Sequence, residues 1–149
     1  MTGPLPEPVR RASCRCGQIE LHAKGEPRRV GLCHCLDCRK LHAAPMTAFV
    51  IFSRSAVVLT GAEGGPLPHG ALATYRSKPT YREAFCTRCG SQVFGVIEGS
   101  EEIELHLGSF DETNVFVPSY ESWTVRREQW LGTQPTLSRH FERDRVDEG

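Results

Sequence analysis

With 149 residues, 18 basic and 18 acidic side chains and no formal net charge, the chain is sized for one domain. That neutral composition argues against a dedicated DNA or RNA binder, which displaces counterions with a basic surface, though it leaves room for a local basic patch. Its longest apolar run, Ala48-Phe49-Val50-Ile51-Phe52, is far shorter than the roughly 18 residues of a membrane span. The opening MTGPLPEPVRRAS has three prolines and no apolar h-region, so no secretory signal and no membrane contact are expected, and the expected location is cytoplasmic.

Residues 1–12 read as a flexible lead-in, because Pro4, Pro6 and Pro8 oppose regular structure. Gly17 to Ala23 alternates, placing Ile19, Leu21 and Ala23 on one face of a strand. Ala48 to Phe52 is continuously apolar, as a strand buried on both faces would be. Val57 to Leu59 and Leu72 to Arg76 are further short strands around a loop, Gly61 to Gly70, with four glycines and two prolines. Gln92 to Ile97 and Glu102 to Leu107 flank Gly99-Ser100 as a hairpin, with Ile103, Leu105 and Leu107 on one side and Glu102, Glu104 and His106 on the other. Short helices are expected only after Cys35 and over Thr124 to Leu131. A mainly β domain over 13–132 and a charged, solvated tail over 133–149, with Phe141 and Val146 the only large apolar residues after Arg139, complete the expected organisation.

Seven cysteines is an odd number, and none lies outside three clusters: Cys14-Arg15-Cys16, Cys33-His34-Cys35-Leu36-Asp37-Cys38 and Cys86-Thr87-Arg88-Cys89. That pattern fits poorly with a secreted disulfide framework, and clustered thiols in a reducing compartment point to metal or redox chemistry. A domain of this size buries about 68–70% of its unfolded surface, so it does not need metal merely because it is small. In CxC the two side chains project from one side of an extended segment; in CxxC a tight turn converges them, and Gly90 after Cys89 suits such a turn.

Soft thiolates in tetrahedral sites select zinc or iron–sulfur. Seven thiolates divide into four, which close a structural zinc site, and three, which leave a coordination position open. Cys33, Cys35 and Cys38 are local in sequence and form the three-ligand set, leaving Cys14, Cys16, Cys86 and Cys89 for the closed site. Spacing alone also permits a swap between clusters. Further alternatives are His34 or His42 as a fourth ligand of the second site, a redox-active CxxC, which lacks a surrounding βαβ pattern, and an iron–sulfur cluster, for which no family spacing is present. His22, His69, His106 and His140 read as surface or hydrogen-bonded residues.

On SCRCGQIEL at 13–21, CHCLDCRK at 33–40, FCTRCGS at 85–91, IELHLGSFD at 103–111 and the stretch from Pro118 to Trp130, the chain resembles the glutathione-dependent formaldehyde-activating enzyme family. That family also includes the centromere protein V domain. The resemblance implies a β-tent fold of two leaning antiparallel sheets with two zinc ions per chain. It implies Cys14, Cys16, Cys86 and Cys89 as ligands of a structural zinc, and Cys33, Cys35 and Cys38 as catalytic ligands of an open one. It also implies a carbon–sulfur lyase that reversibly adds glutathione, or another small thiol, to formaldehyde or a related aldehyde. Leu41-His42-Ala43-Ala44-Pro45 and Tyr120-Glu121 depart from the family's usual pattern on the substrate side.

Three thiolates leave Zn²⁺ with a net charge of about −1, which suits holding a soft thiol better than activating water. Arg39 and Lys40 are candidates to hold a substrate carboxylate, and Tyr120 or Trp123 to wall a pocket. The alternative reading is a non-enzymatic binding module that uses the zinc scaffold for shape. The sequence carries no signal of oligomeric state.

Overall fold

The computed structural model describes residues 3–146. Three strands, β1 (Val9–Ser13), β2 (Ile19–Lys24) and β5 (Val57–Gly61), form a small antiparallel sheet in the order β1-β2-β5. The other eight are β3 (Arg29–Cys33), β4 (Thr47–Ser53), β6 (Leu72–Lys78), β7 (Tyr81–Cys86), β8 (Gln92–Ile97), β9 (Glu102–His106), β10 (Tyr120–Ser122) and β11 (Arg139–His140). They form a second sheet in the order β11-β10-β3-β4-β9-β8-β7-β6. Its pairs from β3 to β6 are antiparallel, whereas β10 joins β3, and β11 joins β10, in parallel. Among the described residues a single α-helix, α1 (Leu36–His42), connects β3 to β4. The fold is thus the mainly β, two-sheet architecture expected. No helix among the described residues is long and apolar enough to cross a membrane.

The main core fills the space between the sheets. Ile19, Leu21 and Ala23 of β2 meet Val50 and Phe52 of β4, Val93 of β8 and Leu105 of β9, all essentially inaccessible to solvent. Each such large side chain contributes about 1.5–3 kcal/mol by leaving water. The run expected to be buried on both faces is so: Val50 and Phe52 enter this core, while Phe49 and Ile51 pack with Tyr120 in a second cluster on the opposite face.

Both ends of the chain depart from expectation. Strand β1 begins at Val9, inside the expected lead-in of 1–12, because the prolines stop at Pro8 and the following residues pair along β2 from Val9↔Lys24 to Ser13↔Glu20. The segment expected as a solvated tail returns to the sheet: β11 lies beside β10, and Phe141 packs edge-on against Tyr120 with ring centroids 6.0 Å apart. Its charges stay outside while its backbone does the pairing. The amide of Trp123 donates to Arg143 O at 2.9 Å and that of Thr124 to Phe141 O at 3.1 Å. In place of the helix expected over Thr124 to Leu131 there is only a 3₁₀ turn at Thr124–Arg126. Residues 1–2 of the lead-in and 147–149 of the tail lie outside the described residues.

Candidate metal centres

The seven cysteines gather into two groups, Cys14, Cys16, Cys86 and Cys89 in one and Cys33, Cys35 and Cys38 in the other, with the sulfurs of each group within 4.8 Å of one another. The swap permitted by spacing does not occur.

In the four-cysteine group two tight turns meet, the bend after β1 and the knuckle after β7. Gly17 at φ 82° and Gly90 at φ 77° take the left-handed conformation these turns require. Gly17 N donates to Cys14 O at 3.0 Å and Gly90 N to Cys86 O at 2.8 Å. Cys14 and Cys16 sulfurs are 3.6 Å apart, and Cys16 and Cys86 sulfurs 3.8 Å. Zinc–thiolate bonds of about 2.3 Å in a tetrahedron space the sulfurs by about 3.8 Å, so the group fits such an ion. Surrounding donors suit charged sulfurs: Gln18 Nε2 donates to Cys86 Sγ at 3.1 Å, and Ile19 N to Cys14 Sγ at 3.4 Å. Burial opposes ionisation of Cys89, but the Ser91 hydroxyl at 3.2 Å and nearby backbone amides prevail and hold the thiol down to about 5. Cys14 and Cys86 are buried, Cys89 is half-buried and Cys16 is exposed.

The three-cysteine group is built differently. Cys33 ends β3, Cys35 caps α1 by accepting the Cys38 amide on its sulfur at 3.2 Å, and Cys38 lies in the helix's first turn. All three are half-buried. Hydrogen bonds from Cys33 and Cys38 hold the Cys35 thiol far below its ordinary range, while contacts with Cys33 and then Cys35, with burial, push Cys38 up. Three adjacent thiols cannot all ionise unless a cation balances them, so the donor set suits a thiophilic dication. Among the described residues no histidine, aspartate or glutamate joins the group. His34, offered above as a possible fourth ligand, is buried with Glu121 Oε1 3.9 Å from its Nε2, and His42 meets His106 edge-on with ring centroids 4.5 Å apart.

These three sulfurs open onto a cavity of about 740 Å³. Its floor is the face of the large sheet turned away from the main core. A single register row crosses six strands there: Arg29, Ile51, Glu104, Gly95, Glu83 and Tyr75 are successive Cα partners. Tyr120 and Trp123 form part of the wall, Tyr120 also packing in the cluster with Phe49 and Ile51, and Lys40 reaches the cavity. Tyr120 can lie flat beside β3 only because Gly31 has no side chain; a Cβ there would come within 2.7 Å of the Tyr120 ring. Arg39 is not at the cavity: its guanidinium donates to Glu128 Oε1 at 2.7 Å, tying α1 to the segment after β10. Sequence reasoning missed Tyr81, Glu83 and Lys78, which also line it. The alternation of Tyr81 and Glu83 just before the Cys86 knuckle was the available signal.

A family model described as glutathione-dependent formaldehyde-activating enzyme matches residues 9–126. The crystal structure of a Rhodobacter sphaeroides protein is similar in fold, with a TM-score of 0.55 at 19% identity, covering 72% of this chain and 97% of that one. No curated protein matches the chain.

Proposed function

The chain belongs to the glutathione-dependent formaldehyde-activating enzyme family, and from that premise we propose that it is a zinc-dependent carbon–sulfur lyase. Its substrates would be glutathione, or another small thiol, and formaldehyde or a related aldehyde. The observation that carries this reading is the three-thiol group without a fourth protein donor among the described residues, opening onto a cavity large enough for a small thiol adduct. Cys33, Cys35 and Cys38 would hold one zinc, and Cys14, Cys16, Cys86 and Cys89 a second, structural one. When bound, zinc at the open group supplies a Lewis-acidic position that favours a thiolate over a thiol.

In the addition direction a carbon–sulfur bond forms, the carbonyl π pair moves to oxygen, and the thiol proton ends on that oxygen. Lys40, Arg76 and Lys78 around the cavity suit the carboxylates of a substrate such as glutathione. Lys78 pairs across the mouth with Asp37 of α1 at 3.4 Å, a contact weak enough to yield to a ligand. Tyr120 and Trp123 offer apolar wall to its aliphatic part. The binding-module alternative would be favoured by a closed second group, which is not the arrangement found among the described residues. Seven unpaired thiols fit a reducing compartment, and the cytoplasm is the proposed location.

Thiol–aldehyde adducts also form unaided, so the test is a rate at equilibrium. Exchange NMR on glutathione and formaldehyde, with and without the zinc-loaded protein, should show faster adduct exchange with protein. Unchanged exchange with glutathione and with other small thiols would overturn the reading.

A further inference from the structure

The cavity floor holds two carboxylates where the proposed chemistry needs a proton carrier. Glu83 on β7 and Glu104 on β9 flank Gly95 of β8 in one register row. With no side chain between them, the two carboxyl groups and the Tyr81 phenol converge above bare backbone. A Cβ at Gly95 would lie 3.0 Å from Glu83 Oε2 and 3.0 Å from Tyr81 Oη. Tyr81 Oη donates to Glu104 Oε2 at 2.6 Å. Glu83 receives only a long contact from the Ser77 hydroxyl, 3.5 Å from Oε1, and its Oε2 is buried with no hydrogen-bond partner. An unpaired buried carboxylate oxygen is costly unless a proton or a ligand meets it.

The surrounding charges do not relieve it. Lys78 and Tyr75 face Glu83 from β6, and Arg29 faces Glu104 from β3. Arg29 is already held by Glu102 through two hydrogen bonds of 2.6 and 3.1 Å. Burial, then repulsion by Glu104, pushes the Glu83 carboxyl up to about 7. Burial raises Glu104 as well, against the Tyr81 hydrogen bond. Both carboxyls are thus held above the ordinary carboxylate range, and ionisation of one opposes ionisation of the other.

We propose that Glu83, backed by Glu104 and Tyr81, is the general acid–base group of this cavity. As the carbon–sulfur bond of an adduct breaks, its electron pair leaves on sulfur, the O–H pair becomes the carbonyl π bond, and Glu83 takes the hydroxyl proton. The proton then passes to the departing sulfur, so the products are a neutral thiol and an aldehyde. The reverse path delivers it from the thiol to the new hydroxyl. This role rests on the lyase reading above.

The experiment is the pH profile of adduct breakdown by the zinc-loaded protein, measured by exchange NMR, beside an infrared titration of the protonated-carboxyl stretch. The wild-type rate should rise with pH through about 7 as Glu83 ionises. Glu83→Gln should abolish that limb and lower kcat by about 10²–10⁴-fold, and the infrared band titrating near neutrality should disappear. Glu104→Gln removes the repelling charge, so the limb should move to lower pH; a purely structural role for the pair would move no limb. If Glu83→Gln fails to fold, the Glu104→Gln shift carries the test. An active wild type whose profile is unchanged in Glu83→Gln, or in Glu104→Gln where Glu83→Gln does not fold, overturns this inference and leaves the lyase reading standing. A wild type that does not accelerate exchange overturns the lyase reading and the catalytic role with it, while the infrared band still reports whether the pair holds a proton.

Discussion

Cys35 and Cys86 differ in what surrounds them more than in what they are. Cys86 is wholly buried at the end of β7, in contact with Cys16 at 3.8 Å and with Gln18 at 3.1 Å. Cys35 is half-buried, caps a short helix, and faces a cavity. A serine at 35 can still accept the Cys38 amide, so Cys35→Ser should keep the fold, retain one zinc of two by elemental analysis, and lose lyase activity. Cys86→Ser should lose the structural metal and much of the fold's stability, because binding at a closed thiolate site is folding energy. Equal loss of stability in the two variants, read by thermal unfolding, would contradict the division into closed and open groups. The two cysteine groups were legible in the sequence because thiols that can hold a metal come in short, fixed spacings. Glu83 and Glu104 were not, since a carboxylate in a strand has no such signature and twenty-one positions separate them.

Several strands in the middle of the chain were readable one by one, though β7, where Tyr81 and Glu83 alternate, was not. The faces assigned to β2 and β9 hold, as do both buried faces of β4. β3 and β10 were not anticipated: Arg29-Val30-Gly31-Leu32-Cys33 contains a glycine, and Tyr120-Glu121-Ser122 is only three residues long. Each becomes a strand because neighbours distant in sequence pair with it. Glu20 joins such elements electrostatically. Its carboxylate accepts from Arg11 Nη2 of β1 at 2.7 Å and from Glu63 N, beyond β5, at 2.8 Å. The Arg11 guanidinium, then the Glu63 amide, holds its pKa down to about 2, from 4.5. A folded-state pKa below the unfolded one stabilises the fold fully above about 4.5, and that stabilisation is lost as pH falls through about 2. Glu20→Gln should therefore be less stable than wild type at neutral pH and lose less stability on acidification across that window. Parallel stability-against-pH curves for the two proteins would contradict this role.

Two sheets divide the work of the molecule. One face of the large sheet packs against β1, β2 and β5 to form the core, and the other is left as the floor of a cavity beside the three-cysteine group. The two-sheet form was legible through the family resemblance carried by the cysteine clusters, not through composition or periodicity. The cavity floor was not legible, because a row from Arg29 to Tyr75 exists only once six strands are in register. The returning C-terminal segment was misread for a related reason. Charged composition describes its surface, whereas Phe141 and the backbone of β11 decide where it docks. The central claim is that this architecture presents three thiolates and one exchangeable position to the cavity. Cobalt substituted for zinc reports that position directly through its visible absorption. Titrating the cobalt-loaded protein with glutathione should give a saturable change in the visible bands, absent in Cys35→Ser. A spectrum that glutathione and other small thiols leave unchanged would mean a closed second site, and would contradict the account.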